Sequence, residues 1–474
     1  MPELSNWGNY PRIQADLLSV SSDEEAVALL RERSRDGSSL IPRGLGRCYG
    51  DSALAPMVLS LRERHKLLEL DTEKGIVTCE AGVSLDELLT TLVPRGWFLP
   101  VVPGTKHVTV GGAIASDVHG KSHHRDGTFS RHVLWMDLLT PEGRIQRLWA
   151  PGSSPPGVET GSQASNDTLF RATAGGMGLT GIILRAGLRL VPVETAYLRT
   201  ETLVARDLTE AMALFRESAA WTYSVAWIDC QARGSSLGRS ILYRGEHATA
   251  GELTGPAAEH PLEEGWPLKG RAPSGPRRGL HLRVPFFLPP WTLNALTIRA
   301  FNTLYFRTQA WGAGESLTGY DPFFFPLDAV ENWNRIYGRR GFLQYQMVLP
   351  LAESETGVAA ILERIAASGL GSFLAVLKLM GKGGGPGRGM LSFPMEGYTL
   401  ALDFPASRRA FHLLEELDAL VLRHGGRLYL TKDARMSRTM MDEGYPDVEA
   451  FRALRREVDP RGVLSSLQAQ RLGL

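Results

Sequence analysis

Three glycine-rich stretches within the first 185 residues constrain the possible folds of this chain more than any other feature. They read "PRGLGRCYGD" at 42–51, "PGTKHVTVGGAIASDVHG" at 103–120 and "ATAGGMGLTGII" at 172–183. The third matches the GxGxxG pattern of Rossmann dinucleotide sites, but such sites need a strand before the glycines and a helix after them. Here a helical pattern precedes the glycines and a strand pattern follows them. We therefore expect no Rossmann site, and instead several loops that hold one extended ligand through backbone N–H groups.

FAD is the natural candidate for that ligand, because it offers a diphosphate and two flat ring systems. The small apolar run "TVGGAIAS" in the second stretch suits close contact with a flat ring. The same stretch leads into four histidines between positions 119 and 132, which raises the alternative of a zinc hydrolase. His119 and His123 have the i, i+4 spacing of a helical metal pair, but Gly120 argues against a helix that presents both on one face. We predict no metal site.

Composition limits the protein class. A chain of 474 residues is long enough for two domains, and a formal net charge of +1 does not favour nucleic acid as a partner. The three cysteines, Cys48, Cys79 and Cys230, are widely spaced and predict neither a disulfide framework nor a zinc site. No signal peptide and no transmembrane helix are expected, so the predicted location is the cytoplasm or the membrane periphery.

Local patterns predict alternating short strands and helices. Residues 23–36 form an amphipathic helical pattern, and Ser84 with Glu87 forms a capping box. Apolar and charged residues alternate over 181–194, which predicts a half-buried strand. Residues 245–285 are rich in glycine and proline, so we expect no regular element there, but a mobile loop that acts as a lid or is disordered.

These motifs, together with "GFLQYQMVLP", "SFLAVLKLMG", "LSFPMEGYTLALDFP" and "GGRLYLTKDARM", resemble the vanillyl-alcohol oxidase / p-cresol methylhydroxylase (PCMH) superfamily of FAD enzymes. Within it, the resemblance is to the polyprenylphosphoryl ribose oxidases, and it spans nearly the whole chain. It implies an α+β fold of two domains, a PCMH-type FAD-binding fold with an inserted antiparallel-sheet substrate domain. The implied ranges are 1–193 for the FAD domain, 194–426 for the substrate domain and 427–474 for a C-terminal segment that returns to the FAD domain.

The resemblance also implies which residues contact the cofactor. Many superfamily members attach FAD covalently through a histidine just after the first glycine turn, and Arg47 stands at that position here. We therefore expect non-covalent FAD, with His119 as the alternative attachment point. The expected cofactor-binding residues are Gly44, Leu45, Gly46, Arg47, Cys48, Tyr49, Gly50, Asp51, Gly104, Thr109, Gly111, Gly112, Ser116, Asp117, Val118, His119, Ile182, Ile183 and Tyr429.

Oxidation of a sugar alcohol requires a hydride acceptor and a group that receives or stabilises the hydroxyl proton. Lys432 is the first candidate for that group, and Tyr49 and His119 are the other expected catalytic residues. Gln344 and Gln346 share one face of a strand, which suits sugar hydroxyls. The expected substrate-binding residues are Lys121, Trp227, Gln344, Gln346, Lys378, Thr399 and Ala401. At the last two positions some family members carry Asn and Cys.

The resemblance thus implies oxidation of the 2′-hydroxyl of a polyprenylphosphoryl-β-D-ribose to the 2-keto intermediate, a step in the synthesis of an arabinose donor for cell walls. A separate NAD-dependent reductase is the implied partner, and a lipid-linked sugar phosphate is the implied substrate. Such a substrate is compatible with peripheral membrane contact. The alternatives are a soluble alditol or aldonolactone oxidase and a flavin-binding protein without turnover.

Overall fold

A computed structural model describes residues 2–154, 163–264, 282–289, 292–382 and 387–474. Its first main sheet uses only residues before 190, and every neighbouring pair of strands is antiparallel. The strands follow the spatial order Ile145–Trp149, Val133–Leu139, Ile182–Arg189, Ile76–Glu80 and Leu67–Asp71.

A small parallel sheet lies at the N-terminal end of the chain, with the strand order Asp16–Ser19, Met57–Ser60 and Ile41–Arg43. The helix Asp23–Asp36 connects the two outer strands, and the Ser22 side chain caps it by accepting a hydrogen bond from the Glu25 N–H. The far C-terminus completes this region, because Leu40 forms an isolated bridge with Leu464. The first and last parts of the chain therefore share one core.

The second main sheet has eight strands and contains most of the later strands. All of its neighbouring pairs are antiparallel. The spatial order is Gly314–Gly319, Tyr197–Ala205, Ser240–His247, Tyr223–Ile228, Ala375–Met380, Gly397–Pro405, Phe342–Pro350 and Arg427–Leu428. The short pairs are Glu3–Ser5 with Arg12–Gln14, Trp97–Phe98 with Val191–Pro192, and Leu282–Arg283 with Val330–Glu331.

Helices cover the sheets and the loops between them. Their ranges are Asp23–Asp36, Leu85–Leu92, Val110–Ala115, His123–Asp126, Gln163–Thr173, Leu208–Glu217, Pro256–Glu259, Ala295–Trp311, Tyr320–Phe324, Ser354–Ser368, Arg408–Arg423, Arg438–Gly444, Val448–Val458 and Leu467–Leu472. Ser354–Ser368 and Arg408–Arg423 bury apolar side chains in the same core as the eight-stranded sheet. Within the described ranges, none of the helices is both long and apolar enough to cross a membrane.

Several local predictions are confirmed. The helix spans 23–36 as expected, and the Ser84–Glu87 capping box is present with both of its hydrogen bonds. The expected mixture of helices and strands is also present. The division into two domains at 193 and 426 stays a prediction.

The predicted half-buried strand over 181–194 is wrong in one respect. The strand Ile182–Arg189 is buried along nearly its whole length, because apolar cores lie on both of its faces. Its central Arg185 is accommodated by ion pairs to Asp23 at 2.5 Å and to Asp137 at 3.0 Å. Of the two arginines in the alternation, Arg185 thus belongs to a partly buried ion-pair network, whereas Arg189 is exposed.

The prediction of an irregular segment over 245–285 is also partly wrong. The strand Ser240–His247 extends into it, and the short helix Pro256–Glu259 follows. Glu264 anchors the next stretch by accepting a hydrogen bond from the Asp321 N–H at 2.8 Å. Residues 265–281 of the expected mobile loop lie outside the described residues, as do 383–386 of the glycine-rich connection after Met380.

Candidate active site

A cavity of about 1410 Å³ lies between the glycine-rich loops and the eight-stranded sheet. Residues of the first and second loops line one side. Side chains from seven strands of the large sheet and from the turn Leu430–Lys432 line the other. The three loops singled out in the sequence therefore do meet at one cavity, since Met177, Gly178 and Gly181 of the third loop also contribute.

The first glycine loop presents free backbone donors to this cavity. The N–H groups of Leu45, Gly46 and Arg47 donate to no acceptor within the described part of the chain. Gly46 has φ of +63°, a left-handed conformation that favours glycine. Gly44 packs so closely that an added Cβ would lie 2.1 Å from the Thr109 Oγ1. Consecutive unpaired N–H groups in such a turn form a suitable cradle for a diphosphate.

The second glycine loop packs against the first through Thr109. The Thr109 side chain caps the helix Val110–Ala115 by accepting a hydrogen bond from the Gly112 N–H at 3.2 Å. An added Cβ at Gly104 would meet no protein atom within 4 Å, so open cavity lies in front of it. Ala115, Val118 and Ile183 add small apolar surfaces. These features fit FAD, with polar turns for its diphosphate and apolar surface for its rings.

Three half-buried lysines, Lys121, Lys378 and Lys432, line the same cavity. Burial lowers the pKa of Lys121 to about 7, and the charge of Lys378 adds to the effect. Burial lowers the pKa of Lys378 to about 8, and this lysine makes no ion pair within the described ranges. Only Asp328 and Glu331 are acidic among the described lining residues. The cavity therefore has an excess of cationic groups and suits an anionic ligand.

Lys432 is part of a buried network around Asp403. Its Nζ lies 3.8 Å from the centroid of the Tyr49 ring. Gln344 Nε2 donates to Asp403 Oδ1 at 2.6 Å, and the Tyr337 hydroxyl donates to Oδ2 at 3.2 Å. Burial lowers the pKa of Lys432, although the Asp403 carboxylate partly opposes this shift. Burial likewise raises the pKa of Asp403.

His119 lies at the junction of the second loop and the sheet. Its Nε2 is 3.0 Å from Gln346 Nε2, so the amide donates and the imidazole accepts. The same amide nitrogen lies 3.2 Å from Thr399 Oγ1. Burial strongly lowers the pKa of His119, which keeps the ring neutral with its proton on Nδ1. That Nδ1 is itself buried and has no hydrogen-bond partner within the described part of the chain.

Trp227 and Ala401 also line the cavity. The Trp227 indole donates from Nε1 to the Phe373 carbonyl oxygen at 3.0 Å, and its ring lies 4.8 Å from that of Tyr305. Tyr429 lines the cavity and donates to the Ser116 carbonyl oxygen at 2.9 Å. Most of the expected site residues thus surround one space.

Five expected residues do not line the cavity, and their contacts explain why. Gly50 packs on the backbone of Asp433, where an added Cβ would lie 1.8 Å from the carbonyl oxygen. Asp51 pairs with Arg471 at 2.8 Å. Two further corrections concern Asp117, which accepts hydrogen bonds from Ser130 N–H and Ser392, and Ile182, which packs in the core below the helix Asp23–Asp36.

The fifth residue is Thr399, which reaches the site only through Gln346. Its hydroxyl donates to the Met347 carbonyl oxygen at 2.7 Å and is fully buried in the sheet. It therefore orients a lining amide instead of contacting a ligand directly.

Sequence reasoning missed Asp403, although a signal was present. An aspartate follows Ala401 by two residues in the apolar run "YTLALDFP", so Thr399, Ala401 and Asp403 share one face of the strand Gly397–Pro405. A polar end of the cavity was also missed. It is lined by Thr200, Thr202, Tyr243, Tyr305, Thr308, Gln309, Ser316 and Thr318.

The histidine-rich stretch forms no metal centre, since no group of three or more ligand-type side chains occurs within the described ranges. His123 begins the four-residue helix His123–Asp126, and its Nδ1 accepts from the Gly381 N–H at 3.3 Å. His124 and His132 contact the carbonyl oxygens of Trp221 and Asp126. These three histidines hold the loop in place beside His119.

Comparison with known proteins agrees with this geometry. Residues 16–148 match the family model described as FAD binding domain. The chain is 37% identical to decaprenylphosphoryl-β-D-ribose oxidase of Mycolicibacterium smegmatis, over 99% of this chain and 97% of that protein. It is 35% identical to an uncharacterised protein of Streptomyces coelicolor, over 83% of this chain and the whole of that protein.

L-gulonolactone oxidase of Bos taurus is 28% identical over 40% of each chain. That likeness covers only part of the molecule, whereas the M. smegmatis oxidase matches from end to end. The cofactor is FAD, as the family model and the loops both indicate. The chain belongs to the family of decaprenylphosphoryl-β-D-ribose oxidase and is an FAD-dependent oxidoreductase.

Proposed function

We propose that this enzyme oxidises the 2′-hydroxyl of a polyprenylphosphoryl-β-D-ribose to a ketone. The observation that carries the proposal is the set of three half-buried lysines around one cavity that also holds two strand amides, Gln344 and Gln346. Cationic groups suit a sugar phosphate, and amides suit its hydroxyls. The M. smegmatis relative, whose name specifies a decaprenylphosphoryl ribose, supports the same substrate class.

FAD, when bound, supplies the acceptor for the hydride that leaves the sugar carbon. The first two glycine loops and Arg47 hold it, and we propose a non-covalent attachment because Arg47 has no nucleophilic nitrogen available at neutral pH. The hydroxyl proton needs a separate acceptor. Lys432 fits this role, because burial favours its neutral amine, which has a lone pair that accepts a proton.

Lys121 and Lys378 fit the substrate phosphate. Lys121 Nζ already donates to the Phe324 carbonyl oxygen at 3.0 Å, which fixes its position, and Lys378 Nζ donates to no acceptor within the described residues. An incoming phosphate supplies the negative charge that both lysines lack nearby, and it raises the pKa of each. Phosphate binding therefore stabilises the ammonium forms of both lysines.

His119, Gln346 and Gln344 fit the orientation of the sugar ring. His119 lines the cavity beside Gln346, and the two amides offer acceptor oxygens on the same strand face. Trp227 provides a flat apolar surface for the ring. We further propose that residues 194–426 form a substrate domain, and that the ketone passes to a separate NAD-dependent reductase.

Anaerobic reduction tests the proposal. Purified protein is loaded with FAD and mixed with synthetic polyprenylphosphoryl ribose, xylitol or a sugar lactone while flavin absorbance is followed. Bleaching by the lipid-linked ribose alone supports the proposal. Bleaching only by xylitol or the lactone overturns it in favour of an alditol or aldonolactone oxidase, and no bleaching by any of them favours a flavin-binding protein.

The mode of FAD attachment needs a second measurement. Acid precipitation releases flavin into the supernatant when the attachment is non-covalent. Flavin that stays with the pellet overturns that part of the proposal and directs attention to His119.

A further inference from the structure

Exposed apolar side chains concentrate in one part of the chain. Of the eleven large apolar side chains that are exposed within the described residues, six lie between 282 and 311. They are Leu282, Phe286, Leu296, Phe301, Leu304 and Trp311. Large apolar groups that lie together on a surface mark an interaction site, whereas isolated ones do not, and four of these six lie on one helix.

The helix Ala295–Trp311 carries four of these side chains. Leu296, Leu304 and Trp311 are 76%, 65% and 94% exposed. Leu296, Ala300, Leu304, Arg307 and Trp311 follow each other at three- and four-residue intervals, so they form one exposed stripe along the helix that is apolar except for Arg307. The buried side of the same helix carries Ile298 and Asn302. The fold therefore leaves the apolar stripe without a partner among the described residues.

All charged side chains of this helix are basic. It contains Arg299 and Arg307, both exposed, and no aspartate or glutamate. An exposed, largely apolar stripe that carries an arginine and ends in a tryptophan is the pattern of helices that lie in the interface of a bilayer. Anionic headgroups attract such arginines.

The position of the helix connects the stripe with the cavity. Phe301, Tyr305 and Gln309 on its adjoining side line the cavity. Leu282 and Arg283 belong to the neighbouring exposed segment, and they pair with the strand Val330–Glu331, which also lines it. The exposed apolar surface is thus continuous with elements that form the cavity wall.

We propose that the helix Ala295–Trp311, with Leu282 and Phe286, is a docking surface for an anionic lipid bilayer. The inference rests on the proposed function, since a polyprenyl-linked substrate resides in such a bilayer. Docking through this surface places the cavity wall at the membrane, so that the sugar phosphate enters while its lipid chain stays in the apolar phase.

Vesicle flotation tests the surface without substrate. FAD-loaded protein is mixed with vesicles of phosphatidylcholine alone or with 30% phosphatidylglycerol, a composition chosen to mimic an anionic membrane. We expect flotation with the anionic vesicles. The double variant Leu304→Ser/Trp311→Ser lowers partitioning about tenfold or more, because its interfacial apolar area is lost. Arg299→Gln/Arg307→Gln removes the preference for phosphatidylglycerol.

Leu351→Ser is the matched control, because Leu351 is 51% exposed and lies on a turn outside this segment. It leaves flotation unchanged. Circular dichroism and FAD content verify that every variant is folded. Equal partitioning of the wild type and the Leu304→Ser/Trp311→Ser variant overturns the proposal. Self-association that this variant abolishes, in a wild type that does not float, also overturns it and identifies a contact between two copies of the chain.

The same variant separates this inference from the proposed function. Neither Leu304 nor Trp311 lines the cavity. We expect Leu304→Ser/Trp311→Ser to bleach normally with detergent-dispersed polyprenylphosphoryl ribose but slowly with the same substrate in vesicles. If the wild type bleaches with substrate in detergent but does not float with vesicles, the proposed function stands and the docking surface is rejected. Flotation without bleaching by the substrate in either form retains the docking surface and rejects the function.

Discussion

Two regions of this molecule hold charged side chains partly or fully away from solvent, and only one of them pairs these charges with groups of the opposite sign. Near the C-terminus, Arg471 donates to Asp51 at 2.8 Å and to Asp433 at 2.8 Å. Around the cavity, Lys121, Lys378 and Lys432 are half-buried with much less compensating charge. The first arrangement joins distant parts of the chain, whereas the second leaves cations whose natural complement is a ligand. Pairing therefore distinguishes a structural charge from a functional one here.

The largest expected effect follows from removing the proposed base at the cavity. Lys432→Met is expected to slow flavin reduction by about 10³-fold, within the range typical of lost general-base catalysis. Lys432→Arg is the informative companion, because it keeps a cation but stays protonated at every accessible pH. Stopped-flow absorbance with saturating substrate measures both.

Lys74→Met is the control, since this lysine is exposed and lies away from the cavity. A rate for Lys432→Met within tenfold of wild type, at full FAD occupancy, would show that another group accepts the proton. A full rate for Lys432→Arg would show that only the charge matters.

Breaking the balanced region is expected to affect stability instead. Arg471→Met leaves Asp51 and Asp433 buried without their cation, which costs about 3–5 kcal/mol of the free energy of unfolding. Urea denaturation followed by tryptophan fluorescence measures the loss. Arg144→Met, which removes an exposed ion pair to Glu142, is expected to change stability by less than about 0.5 kcal/mol. Equal effects of the two variants would contradict the assigned difference.

Removing an unpaired charge at the cavity is expected to raise the free energy of unfolding instead of lowering it. The pKa of Lys378 is about 8 in the fold and 10.5 in a solvated lysine, so below pH 8 the folded state holds a penalised ammonium. Lys378→Met should then raise the free energy of unfolding of the FAD-free protein at pH 7 by on the order of 3 kcal/mol. The gain declines between pH 8 and 10.5 and is absent above that range, where the amine is neutral in both states.

The measurement is urea denaturation of wild type and variant at pH 7, 9 and 11, with the exposed Lys74→Met as control. A destabilised Lys378→Met protein at pH 7 would contradict the prediction. Such a result would mean that the lysine has a compensating partner in the folded chain.

The smallest expected effect is a shift in the pH dependence of flavin reduction when Asp403 is replaced. Flavin reduction should rise tenfold per pH unit below the pKa of Lys432 and level off above it, because only the neutral amine accepts a proton. Burial lowers that pKa, and the Asp403 carboxylate holds it up against this effect. Asp403→Asn therefore shifts the rising limb to lower pH. A shift to higher pH, or a profile without this limb in the wild type, would contradict the assignment.

How much was predictable from the sequence depended on how far apart along the chain the interacting residues lie. The helix 23–36 and the Ser84–Glu87 cap depend on residues three or four positions apart, so local patterns sufficed. The glycine loops were recognisable because turns that approach a ligand need glycine. Their role as one cofactor site followed from a family resemblance, which the end-to-end match with the M. smegmatis oxidase supports.

Long-range contacts defeated the remaining predictions. Asp51 lies next to the glycine turn and was expected at the cofactor, but its partner Arg471 is 420 residues away. Asp117 was expected there too, yet its carboxylate accepts a hydrogen bond from Ser392, which lies 275 residues later in the chain. Asp403 was missed because its importance depends on Gln344 on the paired strand, and strand register cannot be read from one segment.

The bridge between Leu40 and Leu464 has a consequence for the biosynthesis of the enzyme. Val463 and Leu464 complete the core that contains Ala26 and Leu30, and Lys432 forms part of the cavity wall. The ribosome must therefore synthesise the segment up to Leu464 before this core, and the cofactor site beside it, can close. We expect nascent chains that stop short of Leu464 to be unable to retain FAD, so that the cofactor is loaded only after this segment is made.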